Sequence, residues 1–193
     1  MNAHLLKELQ HISHSMFAKN YFGVFHGSLS AKTDIHAFII NKKDIILDEV
    51  DEDGFIRLTC NTKKDYRWKE ASNDAAIHSE IYTTLPNAKY ISYTMPPYTT
   101  AYTFDHTIVI PRDYYGSTIL KEVHVYDPKN FKNWEERAPH EIADYFEKND
   151  THLLLIKGFG LISYDRDLRE MVKKVAILEN SCRLLTINKM NTP

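Results

Sequence analysis

The chain has 193 residues, 43% hydrophobic and 26% charged, which suits one well-buried soluble domain and is short for two. A formal charge of −2 gives no electrostatic pull toward nucleic acid or an anionic membrane, so neither is expected as a partner. No apolar run approaches the roughly 20 residues that span a bilayer, and the charged start MNAHLLKELQHISHSMF lacks a signal-peptide core, so a cytoplasmic protein is expected.

Cys60 and Cys182 have no CxxC partner and read as reduced, packed thiols. Ten histidines keep metal binding under consideration. Leu5, Leu9, Ile12 and Met16 recur at helical spacing and predict an amphipathic helix over 2–19, with His4, His11 and His14 on its solvated flank. Residues 37–40 read as a strand, and 45–50 and 54–60 as two more, joined through the acidic stretch 48–54 as a hairpin. Six acidic or glycine positions there lack the spacing of a calcium loop. Residues 61–70 read as a polar connection, and the paired lysines Lys42-Lys43 and Lys63-Lys64 as solvated loop charges.

Residues 71–103 organise the rest. A helix capped by Ser72 or Asn73, with Asp74 in its first turn, carries Asp74, Ala75, His78 and Tyr82 on one side and Ile77, Ile81 and Leu85 on the other. Pro86 forces Leu85 out of the helical region and ends it. Residues 88–95 alternate and are rich in aromatic and β-branched types, so they predict a strand. Pro96-Pro97 turns the chain into a second helical start. Further strands are predicted at 107–110, 122–126 and 152–156, with a loop at 112–116. Helices are predicted at 138–148, with Pro139 in the first turn, and at 167–187, where Leu168, Met171, Val175, Leu178, Cys182 and Leu185 form a stripe. Residues 188–193 read as frayed.

On these residues the chain resembles the class II aldolase/adducin family. Tyr82, Pro86, Pro96, Pro97, Thr100 and Ala101 match the frame "Y...P....v.H.HPP..TA". Gly27 and Ser30 match an upstream Gly-Asn turn motif, with Ser28 at its asparagine and Lys32 at its arginine. Gly160, Leu168, Leu178 and Glu179 match the last motif, and the resemblance covers about residues 5 to 187. It implies a single α/β domain of three layers (α/β/α), with a mainly antiparallel central sheet flanked by helices, assembled as a homo-oligomer, a tetramer in many members. It also implies a small-molecule pocket drawing on Ser28, Ser30, Lys32, Ser72, Asn73, Tyr93, Met95 and Phe159, with Asp74 in the place of the acid/base glutamate. Asp44, where the family turn has glycine, would repel a phosphate. Family aldolases also borrow a tyrosine from a neighbouring subunit somewhere in the region of the 112–116 loop, and no pattern assigns that role to Tyr114 or to Tyr115.

The family holds a catalytic divalent metal, Zn or another, with three histidines. Here Tyr93, Met95 and Phe159 stand at those positions and offer a neutral phenol, a soft thioether and no ligand. No metal cofactor is therefore expected, and two readings follow. One is a non-catalytic binding or assembly module on the family scaffold. The other is a metal-independent or re-specialised lyase or isomerase with Asp74 as acid/base on a small carbonyl or sugar-phosphate-like substrate, its carboxylate one methylene shorter than the family's.

Overall fold

The computed structural model describes residues 3–60 and 64–190. Asn2 of the predicted first helix, 61–63 of the predicted connection and 191–193 of the predicted frayed end lie outside the described residues.

Among the described residues eight strands form one sheet in the order β3-β2-β1-β4-β8-β7-β6-β5. They are β1 (Ser28–Asp34), β2 (Ala37–Asn41), β3 (Phe55–Thr59), β4 (Tyr90–Thr94), β5 (Ile108–Val109), β6 (Val123–Tyr126), β7 (Leu153–Ile156) and β8 (Gly160–Asp165). Every neighbouring pair is antiparallel except β6 and β7. A parallel pair needs a long crossover, and the helix α4 (Trp134–Lys148) supplies it. The other helices are α1 (Ala3–Ala18), α2 (Ala75–Thr84), α3 (Pro97–Asp105) and α5 (Leu168–Met190).

Strand alternation sorts the side chains into two cores. Phe38, Ile40, Ile91, Leu154 and Ile156 face α2 and α4. Leu29, Ala31 and Ile39 face α1, while Leu153, Leu155 and Leu161 face α5. The result is an α/β/α stack with a mainly antiparallel sheet. Glu179 shows how a single side chain ties two helices together. Its two carboxylate oxygens accept the backbone N–H groups of Tyr98 and Thr99 at 3.1 and 2.7 Å, capping α3 from α5.

Several local expectations are corrected. Residues 45–50 are not a strand; Ile45, Leu47 and Val50 are loop residues that pack against the α1 side of the core. The partner of β3 is β2, so the predicted hairpin does not form. β1, unpredicted, lies near the sheet centre. Residues Tyr66–Lys69 form a short 3-10 turn, and Gly116–Leu120 coil into a π-helical turn that follows the helical residues 114–115, rather than a loop. α4 begins at Trp134, which leaves Pro139 inside it, and α5 stays helical to Met190. On α1 the buried stripe is Leu6, Leu9, Ser13 and Met16, with Leu5 and Ile12 half-buried. Among the described residues no helix is long and apolar enough to cross a membrane.

Candidate functional site

The site grows from the pairing of β1 with β4 and the helix start laid across them. Ser28 lies opposite Tyr93, and Tyr93 lies opposite Ile162 of β8. Gly27, just before β1, has φ +119°, and a Cβ there would stand 2.4 Å from the Phe22 ring, so the turn that delivers β1 requires glycine. Asp44 in the turn after β2 has φ +57°. Aspartate is one of the few side chains that tolerate this left-handed region.

Asp74 itself takes the N-cap position of α2, one residue after Asn73, and its carboxylate makes no capping bond. The Ser72 hydroxyl donates to Asp74 Oδ2 and accepts from the Asp74 N–H, each at 3.3 Å. Burial pushes the Asp74 carboxyl above its ordinary range, while hydrogen bonds from Ser28 and Ser72 and the nearness of His26 pull it back. The carboxyl opens onto a cavity of about 160 Å³. His26 and Gly27 bound it on one side, Asn41, Lys42, Lys43 and Asp44 on another, and Ser72, Asn73 and Tyr93 close it.

The residues expected to line a pocket therefore divide. Ser72, Asn73, Asp74 and Tyr93 meet at the cavity. Ser28 and Ser30 are wholly buried and bind His78 instead, Ser28 Oγ at 2.9 Å from Nε2 and Ser30 Oγ at 2.6 Å from Nδ1. Lys32 is remote from the cavity; its ammonium donates to the Tyr82 carbonyl at 2.9 Å, near the far end of α2. Met95 and Phe159 pack against the α2–α4 core. His26, Asn41, Lys42 and Lys43 join the cavity beyond the expected pocket residues, the last three from the turn that the resemblance sets beside a family anion-pocket turn. The lysine pair was visible as the densest basic cluster, but only the bridge between Lys42 and Ala71 brings it to the start of α2. Tyr114 and Tyr115 are exposed and meet edge-to-face at 5.4 Å.

The donor set at the position where the family holds its metal does not fit a divalent cation. The Tyr93 ring stacks on Phe159 at 4.6 Å, and its hydroxyl donates to the Phe159 carbonyl at 2.8 Å. Burial, with the Asp74 charge beside it, holds that phenol well above its ordinary range, so it stays neutral. Trp134 packs edge-on against Phe159 at 5.6 Å. Two of the ten histidines are committed elsewhere. His78 is fully buried with both ring nitrogens bonded, and His106 stacks on Tyr102 at 3.9 Å. Among the described residues no group of three or more His, Cys, Asp or Glu side chains is arranged to hold a metal ion.

A mixed sheet of this order, layered by helices and opening at the β1–β4 edge of α2, is the fold of the class II aldolases. The chain matches L-fuculose-1-phosphate aldolase from Thermus thermophilus with a TM-score of 0.86 at 21% identity, over 98% of this chain and 97% of that one. YgbL from Escherichia coli matches with a TM-score of 0.81 at 17% identity, over 95% and 88%. A sugar-phosphate aldolase from Thermotoga maritima matches with a TM-score of 0.78 at 12% identity, over 97% and 96%. No curated protein sequence matches the chain. Residues 7–186 match the Class II Aldolase and Adducin N-terminal domain, and the chain belongs to that family.

Proposed function

We propose that this family member is a non-aldolase binding or assembly module, its divalent-metal site lost, that receives a small sugar-phosphate-like or carbonyl ligand in the cavity beside Asp74. The observation that carries the reading is the stacked, hydrogen-bonded pair of Tyr93 and Phe159. Without a cation, an enediolate formed there would lack charge stabilisation worth several kcal/mol in metal-assisted chemistry. The polar wall of the cavity supports a ligand role. Lys42 and Lys43 offer positive charge against the single carboxylate of Asp44 on the same wall, and Ser72 and Asn73 offer hydrogen bonds. Solved relatives named for fuculose 1-phosphate and sugar phosphates support the ligand class.

Purified protein dialysed against Zn²⁺ and then freed of loose metal should hold far less than one ion per chain. Inorganic phosphate or a sugar phosphate should shift the amide resonances of Ser72, Asn73 and Lys43. A stoichiometric ion lost on Tyr93→Phe would overturn the reading. The chain is further proposed to act as a homo-oligomer, which sedimentation velocity tests; a monomer at all concentrations refutes that part.

One observation favours the alternative of a re-specialised, metal-independent lyase or isomerase: the cavity carboxyl of Asp74 is raised toward the range of an acid/base. In a screen of small carbonyl substrates, any turnover found should vanish in Asp74→Asn. An unchanged rate removes Asp74 from the role.

A further inference from the structure

The polar groups beneath Asp74 form a chain whose hydrogen-bond directions are not independent. Ser28 lies beside the Asp74 carboxyl, which its hydroxyl helps to hold down, and its Oγ is 2.9 Å from His78 Nε2; His78 contacts Ser30, Ser30 Oγ lies 2.8 Å from the Tyr82 hydroxyl, and that hydroxyl reaches the Lys89 carbonyl at 3.3 Å. Each hydroxyl has a single proton to donate, and a neutral imidazole has one donor and one acceptor nitrogen. Fixing the direction of one bond therefore fixes the rest.

When Asp74 is protonated, it donates to Ser28. Ser28 then donates to His78 Nε2, His78 donates from Nδ1 to Ser30, Ser30 donates to Tyr82, and Tyr82 donates to the Lys89 carbonyl. When Asp74 is ionised, it accepts from Ser28, and the order reverses. His78 donates from Nε2, Ser30 donates to Nδ1, and Tyr82 turns its proton to Ser30. The Lys89 carbonyl still accepts the Lys32 N–H at 2.8 Å, so both arrangements leave no buried group unpaired. The end bond at 3.3 Å is long, so releasing it costs little.

We propose that Ser28, His78, Ser30 and Tyr82 form a two-state relay that ties the protonation of Asp74 in the cavity to the tautomer of His78 in the core. His78 is here a positioning residue, acting on Asp74 through Ser28. The inference does not depend on what occupies the cavity. The groups around Asp74 are His26, Lys42, Lys43, Asp44 and Tyr93 at the cavity, and Ser28 and Ser72 by hydrogen bond. His78 faces Ser28, Ser30 and Tyr82, and Cys60 and Tyr90 lie near Tyr82. Glu80 and His140, paired at 3.1 Å, occupy the other side of α2. Full burial keeps His78 neutral down to about 3 and keeps Tyr82 protonated throughout, so tautomer exchange is the open route.

Nitrogen-15 NMR of histidine-labelled full-length protein reads the tautomer directly, the His78 signals being those absent from His78→Gln. Between pH 4.5 and 9 the Nδ1–H form should give way to the Nε2–H form, with more than a tenfold change in their ratio. Asp74→Asn should abolish that pH dependence. Tyr82→Phe removes the acceptor that Ser30 needs when Asp74 is protonated, so it should move the transition to lower pH. One unchanging tautomer in the native protein, a transition that survives Asp74→Asn, or an unmoved midpoint in Tyr82→Phe would each overturn the relay.

Discussion

His78 is a titratable side chain on which burial acts severely. It is fully enclosed, and removal from water holds its imidazole down at about 3, against an ordinary 6.5. The unfolded chain binds a proton below 6.5 and the folded chain does not, so stability falls as pH drops from 6.5 toward about 3. The slope is roughly 1.4 kcal/mol for each pH unit, which amounts to about 3 kcal/mol by pH 4. Urea denaturation of native protein between pH 7 and 4 should show that loss, and His78→Gln should show a flatter profile even though it starts less stable. Equal pH slopes in both would remove His78 as the source.

How legible this residue was depended on distance along the chain. The spacing of Asp74, His78 and Tyr82 on one helical side was plain, because it is local. Its meeting with Ser28 and Ser30 was not, since both contacts span about fifty positions and exist only once β1 is placed. The two serines were expected at a ligand because the resemblance puts them there, and burial gives them to the histidine instead.

At the scale of elements, β1 escaped notice for a related reason. The side chains it turns toward α2 are Ser28 and Ser30, so a strand buried on both faces reads as a polar turn. The opposite error at 45–50 came from apolar residues that a loop buries just as well as a strand would. The junction between β8 and α5 shows a different kind of control. Asp165 accepts the Lys174 ammonium at 2.6 Å, His152 Nδ1 at 3.1 Å, and the backbone N–H groups of Arg166 and Asp167 at 2.7 and 3.2 Å. Burial pushes its carboxyl up, but the Lys174 bond, the Asp167 amide and His152 outweigh it and hold it at about 2. That stabilisation is fully present above the ordinary carboxylate value and is lost as pH falls toward about 2. Asp165→Asn should therefore cost about 2 kcal/mol at pH 7, with the gap to native protein closing below pH 4. A gap that stays constant in acid would mean the charge is not its origin.

For the molecule as a whole, the sheet decides cooperativity. β4, from the middle of the chain, bonds to β1 on one side and β8 on the other, so early and late segments share one ladder. The two core faces are closed by helices from both halves: α2 with α4 on one, and α1 with α5 on the other. We expect a single unfolding transition, with near-ultraviolet and far-ultraviolet circular dichroism melting together. Separated transitions would show that part of the sheet unfolds alone. The architecture was readable because prolines, glycines and apolar stripes recur at the family's spacing. The cavity was less so, because its walls come from turns whose side chains differ from the family's.

Phe159 stands between Gly158 at φ +69° and Gly160 at φ +131°, where an added Cβ would come within 2.4 Å of the Thr94 carbonyl. The glycines, not the aromatic ring, bend the chain there. Position 159 is thus a socket whose occupant can be exchanged without rebuilding its housing, and an imidazole or a phenyl ring would plug into the same bend.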